Sequence, residues 1–411
     1  MMQGKSMFKN RLRLYQVVPV SVALLAAACT TPVQTLPSHA EIAVPISGAA
    51  VAPAPVSSVA AASGVQAAPS MEIKFAVAGD IMAHDSQLAA AYDRKCDCYD
   101  FKPVFATAAP LFKDVDVAVA NLETTLPGKN YSGYPAFGAP DSLIDAVTGA
   151  GINLLIMANN HCLDKGRDTL VRTLQVLDEK KVPHLGVYGS QKEYAENRIF
   201  LLKKNGLAVA LLNYTYGTNG RSTPKGVVVN RISEAQVGTD IARAREMKVD
   251  AVIVFYHFGT EYLNKPDRFQ LRMVQHALAS GADIVLGGHP HHVQPYELLD
   301  VQGKPHLVAY SVGNFVSAQR ERYTDGGMVL YFTLAKKPDS TLDIKDVRHK
   351  LVWIYISHEG EKKQFHILPV EDTLAMKEGA KLPPQAIAGM TAFRNDVEEV
   401  LKVRVSAGKK R

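Results

Sequence analysis

The sequence predicts an α/β fold in which helices cover a largely parallel sheet. Three observations predict it: short apolar, β-type runs recur along the body of the chain, each run ends abruptly in a polar cluster, and stretches with helical spacing fill the gaps. Runs that are apolar throughout are buried on both faces, and strands joined through helices pair in parallel.

In order, Ile73 to Ala78 ends in Gly79-Asp80, Val115 to Ala120 in Asn121-Leu122-Glu123, and Leu154 to Ala158 in Asn159-Asn160-His161. Leu207 to Leu212 ends in Asn213-Tyr214, and Val252 to Tyr256 in His257, with Gly259 and Glu261 just beyond. Ile284 to Leu286 runs into Gly287-Gly288-His289-Pro290-His291-His292, and Leu307 to Tyr310 into Ser311-Val312-Gly313-Asn314. Leu170, Leu174 and Leu177 form an apolar helical stripe after Lys165-Gly166, as do Phe269, Met273, His276 and Ala277 after Pro266. The main domain is expected over 71–335. Beyond it, 336–411 reads as an extension packed on that domain: Leu351 to Ile356 and Gln364 to Leu368 as strands, Pro383-Pro384 as a break, Asp396 to Val405 as a terminal helix, then a basic tail.

The N-terminus carries an address. Lys5, Lys9, Arg11 and Arg13 precede Val17 to Ala28, which is apolar apart from Pro19 and Ser21. That run is too short for a bilayer, which needs roughly 20 residues, and reads as a signal-peptide core. Leu25-Ala26-Ala27-Ala28-Cys29 resembles the lipobox of bacterial lipoproteins, with Ala26 where Leu is usual. Residues 1–29 are therefore expected to be a signal peptide whose cysteine becomes a lipid anchor; ordinary cleavage after Ala28 is the other reading. Thr30 in place of Asp favours the outer membrane in a cell that has one. Residues 30–70 are dominated by Ala, Pro, Val, Ser, Thr and Gly, with Glu41 as the one acid and no Lys or Arg, the composition of a disordered linker.

The formal net charge is +6, but the N-terminal cations and the Lys409-Lys410-Arg411 tail account for it, so the folded body has no footprint for nucleic acid. Cys96 and Cys98 stand two apart and their bonding is open; Cys162 is expected to stay free.

In open α/β sheets the carboxyl ends of strands line the ligand crevice. Asp80, Glu123, Asn160, His161, His257, His289 and His291 all fall there. Singly, each reads as a turn or cap residue; jointly they make a site. Imidazole, carboxylate and amide oxygen without converging thiols suit Zn, Mn or Fe, one ion or two, with a carboxylate able to bridge a pair. Glu123 is expected within reach of both Asp80 and the His257, His289, His291 group. There is no Gly-x-Ser-x-Gly elbow, P-loop or dinucleotide fingerprint. Tyr214 and Tyr216 either line the crevice and contact a polymer or pack as buried aromatics.

The ordered set Gly79-Asp80-Ile81-Met82, Asn121-Leu122-Glu123, Asn159-Asn160-His161 with Asp164 and Gly166, His257-Phe258-Gly259-Thr260-Glu261-Tyr262, Gly288-His289-Pro290-His291 and Ser311-Val312-Gly313-Asn314-Phe315 resembles the CapA family of poly-γ-glutamate capsule synthesis proteins. The resemblance covers about Met71 to Met328. It implies a calcineurin-like metallophosphoesterase fold, an αββα sandwich with two mixed sheets, so part of the sheet read as parallel should be mixed and doubled. Carried across by motif, Asp80, Glu123, Asn160, His257, His289 and His291 are the metal positions and His161 the catalytic histidine. Glu261 is expected to orient His257, and Asn314 to contact substrate. Met82 stands where catalytic relatives have the His of Asp-x-His, and Gly288 where many members have a further His, departures that weaken one metal position.

The function this implies is a cell-surface protein in biosynthesis, export or processing of poly-γ-glutamate or a related capsular polymer. Its expected partners are the anionic γ-glutamyl polymer, the membrane through the lipid anchor, and a polymer synthetase or export complex. The alternatives are a cell-surface metal-dependent phosphoesterase or nucleotidase, and a noncatalytic polymer-binding scaffold.

Overall fold

The computed structural model describes residues 71–376 and 382–405. The signal segment, Cys29, the linker at 30–70 and the basic tail lie outside the described residues. No helix among those described is long and apolar enough to cross a membrane.

Two sheets carry the fold. The first has eight strands, in the order Lys362–Pro369, Leu342–Glu359, Gly326–Lys336, Glu72–Ile81, Val117–Leu122, Leu154–Ile156, His184–Leu185, with the short Asn314–Val316 strand also pairing Glu72–Ile81. Its members from Glu72–Ile81 to His184–Leu185 run parallel, whereas the strands from Gly326 onward pair antiparallel. The second has six, in the order Tyr296–Val301, Lys304–Ala309, Ile284–Gly288, Ala251–His257, Leu207–Thr215, Phe200–Lys204, with a parallel centre and antiparallel edges.

Side-chain alternation sets the layers, because successive residues of a strand face opposite ways. Ile73, Phe75 and Val77 of the first sheet meet Val209, Leu211, Ile253 and Phe255 of the second in one buried cluster, where Phe75 and Phe332 stack at 4.9 Å. The intervening Ala76 and Ala78 face the helices Ser142–Gly149 and Gly166–Glu179, which bury Leu143, Val147, Leu170, Leu174 and Leu177. On the far side, Ala210, Leu212, Val252 and Val254 face Glu234–Glu246 and Arg268–Ala279 through Val237, Ile241, Met273 and Val274. Each fully buried Val, Leu, Ile, Phe or Met contributes about 1.5–3 kcal/mol. The result is helix, sheet, sheet, helix: the αββα sandwich expected for a calcineurin-like metallophosphoesterase.

The largely parallel reading of the runs gives way to antiparallel pairing at the sheet edges, the mixed sheets that the resemblance implies, and turn chemistry explains why. Asn205-Gly206 and Gln302-Gly303 join Phe200–Lys204 to Leu207–Thr215 and Tyr296–Val301 to Lys304–Ala309, with all four φ angles positive. Two-residue turns of that hand make antiparallel hairpins. Residues past 335 supply two strands of the first sheet itself. The terminal helix spans Pro384–Leu401, longer than the expected Asp396 to Val405. Pro384 begins it, since proline at the first helical position loses no hydrogen bond.

Candidate metal centre

The strand ends of both sheets converge on one floor. Asp80 pairs in register with Asn121 and with Asn314, and His257 with Gly288. Close backbone approach makes this possible: a Cβ at Gly79 would lie 1.8 Å from Gly313 O, and one at Gly287 2.0 Å from Tyr310 O. Asp80, Glu123, Asn160, His257, His289 and His291 are all buried, Glu123 with 0% exposure.

Two groups of three share one carboxylate. Glu123, His257 and His289 form the first and Asp80, Glu123 and His291 the second, and within each group one ligand atom per residue lies within 4.8 Å of the others. The His257 and His289 ring centroids are 4.8 Å apart, on the same side of the floor. The donor atoms aimed inward lack partners: Asp80 Oδ2, Glu123 Oε1 and His289 Nδ1 are buried without a hydrogen bond among the described residues. The nearest ionic contacts are His291 Nδ1 to Asp80 Oδ2 at 3.3 Å and His257 Nε2 to Glu123 Oε1 at 3.5 Å. Buried polar atoms left so are costly, and a divalent ion satisfies such a donor set; the residues fit it.

Backbone and amides hold the donors. His289 and His291 have φ of 98° and 59°, the left-handed region that non-glycine residues adopt at a cost and that clusters at functional sites. The Asn121 amide donates to Asp80 Oδ1 at 2.8 Å and contacts Glu123 Oε2 and His257 Nδ1, each at 3.3 Å. Asn159 donates to Asn121 Oδ1 at 3.0 Å and to Leu122 O at 2.8 Å, locking that amide. Asn160 Oδ1 lies 2.8 Å from His257 Nε2. Asn213 Oδ1 accepts from the backbone N–H groups of Met157 and Ala158 at 3.1 and 2.7 Å, fixing the loop that carries Asn160 and His161.

Burial raises the Asp80 pKa, but His291 and the charge of His257 outweigh it and leave the carboxyl below its ordinary value. Burial, with His257 and His291 nearby, holds His289 well below its usual pKa, so it is neutral, the form that ligates. Burial opposes charge on His291 too, yet Asp80 and Glu123 push it up to about 9. His161 is likewise penalised by burial but raised overall by Asp164, whose Oδ2 sits 2.6 Å from Nδ1, and by Glu123. Asp164 Oδ2 also accepts from Phe137 N at 2.8 Å, and the Phe137 ring packs edge-on to His161 at 4.7 Å. Above this floor opens a cleft of about 1260 Å³, with Met82, His161, Tyr216, Glu261 and Tyr262 among its walls.

Residues 74–319 match the family described as bacterial capsule synthesis protein PGA_cap. The chain belongs to this family. It is 27% identical over 252 residues to the capsule biosynthesis protein CapA of Bacillus anthracis, covering 59% of this chain and 60% of that one. To the PGA biosynthesis protein CapA of Bacillus subtilis (strain 168) it is 24% identical, covering 59% and 64%. The matches thus span less than two thirds of these relatives' own lengths. Among solved structures it is similar to the NAD nucleotidase of Haemophilus influenzae, with 12% identity, TM-score 0.46, and 80% and 68% of the two chains covered.

Three expected roles in this PGA_cap chain are corrected by the geometry. Tyr214 does not line the cleft: it faces the helix layer, fully buried, and donates to Asp240 Oδ2 at 2.9 Å. Tyr216, past the strand end, does line it, 4.4 Å from the His289 ring. Asn314 is buried beneath the floor, with Oδ1 3.0 Å from His291 Nδ1 and its amide donating to Thr324 O at 2.8 Å, so it positions that imidazole instead of meeting a ligand. Glu261 stands in the cleft wall, while Asn160 and Asn121 hold His257. Asn121, Asn159 and Asn213 received no role from the sequence, although each directly follows an apolar run. Cys96 and Cys98 are disulfide-bonded, and Cys162 is free and buried.

Proposed function

We propose that this PGA_cap protein works at the bacterial cell envelope, held by a lipid anchor at Cys29, and processes a γ-glutamyl capsular polymer in its metal-lined cleft. The observation that carries the reading is the sharing of Glu123 by two groups of buried donors at the floor of an open cleft, with Asp80 Oδ2, Glu123 Oε1 and His289 Nδ1 left without a hydrogen bond among the described residues. Asp80, Glu123, Asn160, His257, His289 and His291 would hold one or two divalent ions of zinc, manganese or iron. Such an ion supplies Lewis acidity toward the oxygen of a bound amide or phosphoryl group. His161 Nδ1 is engaged by Asp164, and, against the cost of burial, Asp164 with Glu123 lifts its pKa above the ordinary value, which favours the protonated ring. Nε2 then delivers that proton to a leaving nitrogen or oxygen.

The test compares His161→Ala and His289→Ala for metal content, melting temperature and hydrolysis of a γ-glutamyl oligomer beside a generic phosphodiester. His161→Ala should keep its metal and lose roughly 10²- to 10⁴-fold in turnover, and His289→Ala should lose metal and turnover together. Turnover of the phosphodiester alone would instead make the protein a surface phosphoesterase, and polymer binding without turnover a scaffold.

A further inference from the structure

The strand Leu342–Glu359 outruns one of its neighbours. Pairing with Gly326–Lys336 ends at Trp353 opposite Gly326, whereas pairing with Lys362–Pro369 continues to Glu359 opposite Lys362. Among the described residues, 354–359 therefore have a strand on one side only. On the open side Ile354 N donates to Asp325 O at 2.8 Å, and Ile354 O accepts from Arg320 Nη1 at 2.8 Å. Main-chain groups alternate between the two edges of a strand, so Ile356 and His358 offer their N–H and C=O groups to that same side. They border a groove of about 550 Å³ whose walls include Arg320, Tyr355, Ile356, Ser357 and His358. Arg320 also lines the metal cleft, so the two depressions share this residue.

We infer that this groove is a second binding subsite for an extended, amide-linked anionic polymer leaving the metal cleft past Arg320. Open strand edges take up extended chains through main-chain hydrogen bonds. Polymer amides pair with Ile356 and His358, and a polymer carboxylate meets the Arg320 guanidinium, whose Nε and Nη2 have no hydrogen-bond partner among the described residues. Nearby acids are engaged: Asp325 Oδ2 accepts from Trp353 Nε1 at 2.7 Å and Glu321 Oε2 from Arg320 N at 3.2 Å. The inference rests on the reading of the cleft as a polymer site, and its test separates the two.

Binding of a γ-glutamyl dimer and of a long γ-glutamyl polymer is measured on the full chain and on Arg320→Gln and His358→Glu, with amide hydrogen exchange followed at residues 354–359. The native chain should bind the polymer more tightly than the dimer, and polymer but not dimer should slow exchange at Ile356 and His358. Arg320→Gln should weaken polymer binding about tenfold, the scale of one charge-assisted hydrogen bond. His358→Glu, a change at an exposed position, should weaken polymer binding and leave dimer binding alone. Equal binding of dimer and polymer with unchanged exchange at 354–359 overturns the subsite and leaves the cleft reading standing. Binding of neither overturns both.

Discussion

The Asn121 side-chain amide donates to Asp80 Oδ1 at 2.8 Å, joining the ends of two neighbouring parallel strands while also touching Glu123 and His257. One neutral amide thus spaces two carboxylates and an imidazole. Asn121→Leu should lower divalent-metal affinity about 10- to 100-fold, the usual effect of losing a ligand's supporting hydrogen bond. Metal titration against melting temperature checks this; unchanged affinity would show that the donors hold their places without it.

Metal should stabilise the native chain more than the His289 variant. At a hundredfold excess over the dissociation constant a ligand adds about 2.7 kcal/mol. Because His289 Nδ1 has no hydrogen bond, His289→Ala should cost little in chelator and should abolish most of the metal-induced rise in melting temperature.

Tyr214→Phe removes a buried hydroxyl that bonds Asp240, which also accepts from Gln236 at 2.9 Å and pairs with Arg198 at 3.2 Å. The expected loss is about 1–3 kcal/mol in denaturant unfolding, with metal binding and turnover unchanged, because Tyr214 faces the helix layer.

Burial pushes the Cys162 thiol up to about 12. The thiolate is the reactive form, so at neutral pH the residue should resist alkylation while folded and react after unfolding. Mass mapping of iodoacetamide adducts at Cys162 in native and denaturing buffer reads this directly; fast native labelling would contradict the burial.

Much of the floor was legible because its residues sit in the polar clusters that end apolar runs: Asp80, Glu123, Asn160, His257, His289 and His291 needed only the rule that strand ends line the crevice. Periodicity could not tell Tyr214 from Tyr216. The strand continues as far as Thr215, so Tyr214 keeps the alternation that buries it while Tyr216 escapes. Asn314 misled for a related reason, since a polar residue at a strand end can face into the cleft or support it from beneath. The doubling of the sheet came from resemblance, although Asn205-Gly206 and Gln302-Gly303 signalled antiparallel edges in the sequence itself.

Glu72–Ile81, which carries Asp80, lies between Val117–Leu122 and Gly326–Lys336. A chain made from its N-terminus therefore exposes Asp80 long before His289, His291 and the supporting Asn314 exist. Long-range pairings of this kind form late and slowly. The nascent protein consequently passes most of its synthesis without either complete donor group, and metal loading becomes a report on finished folding.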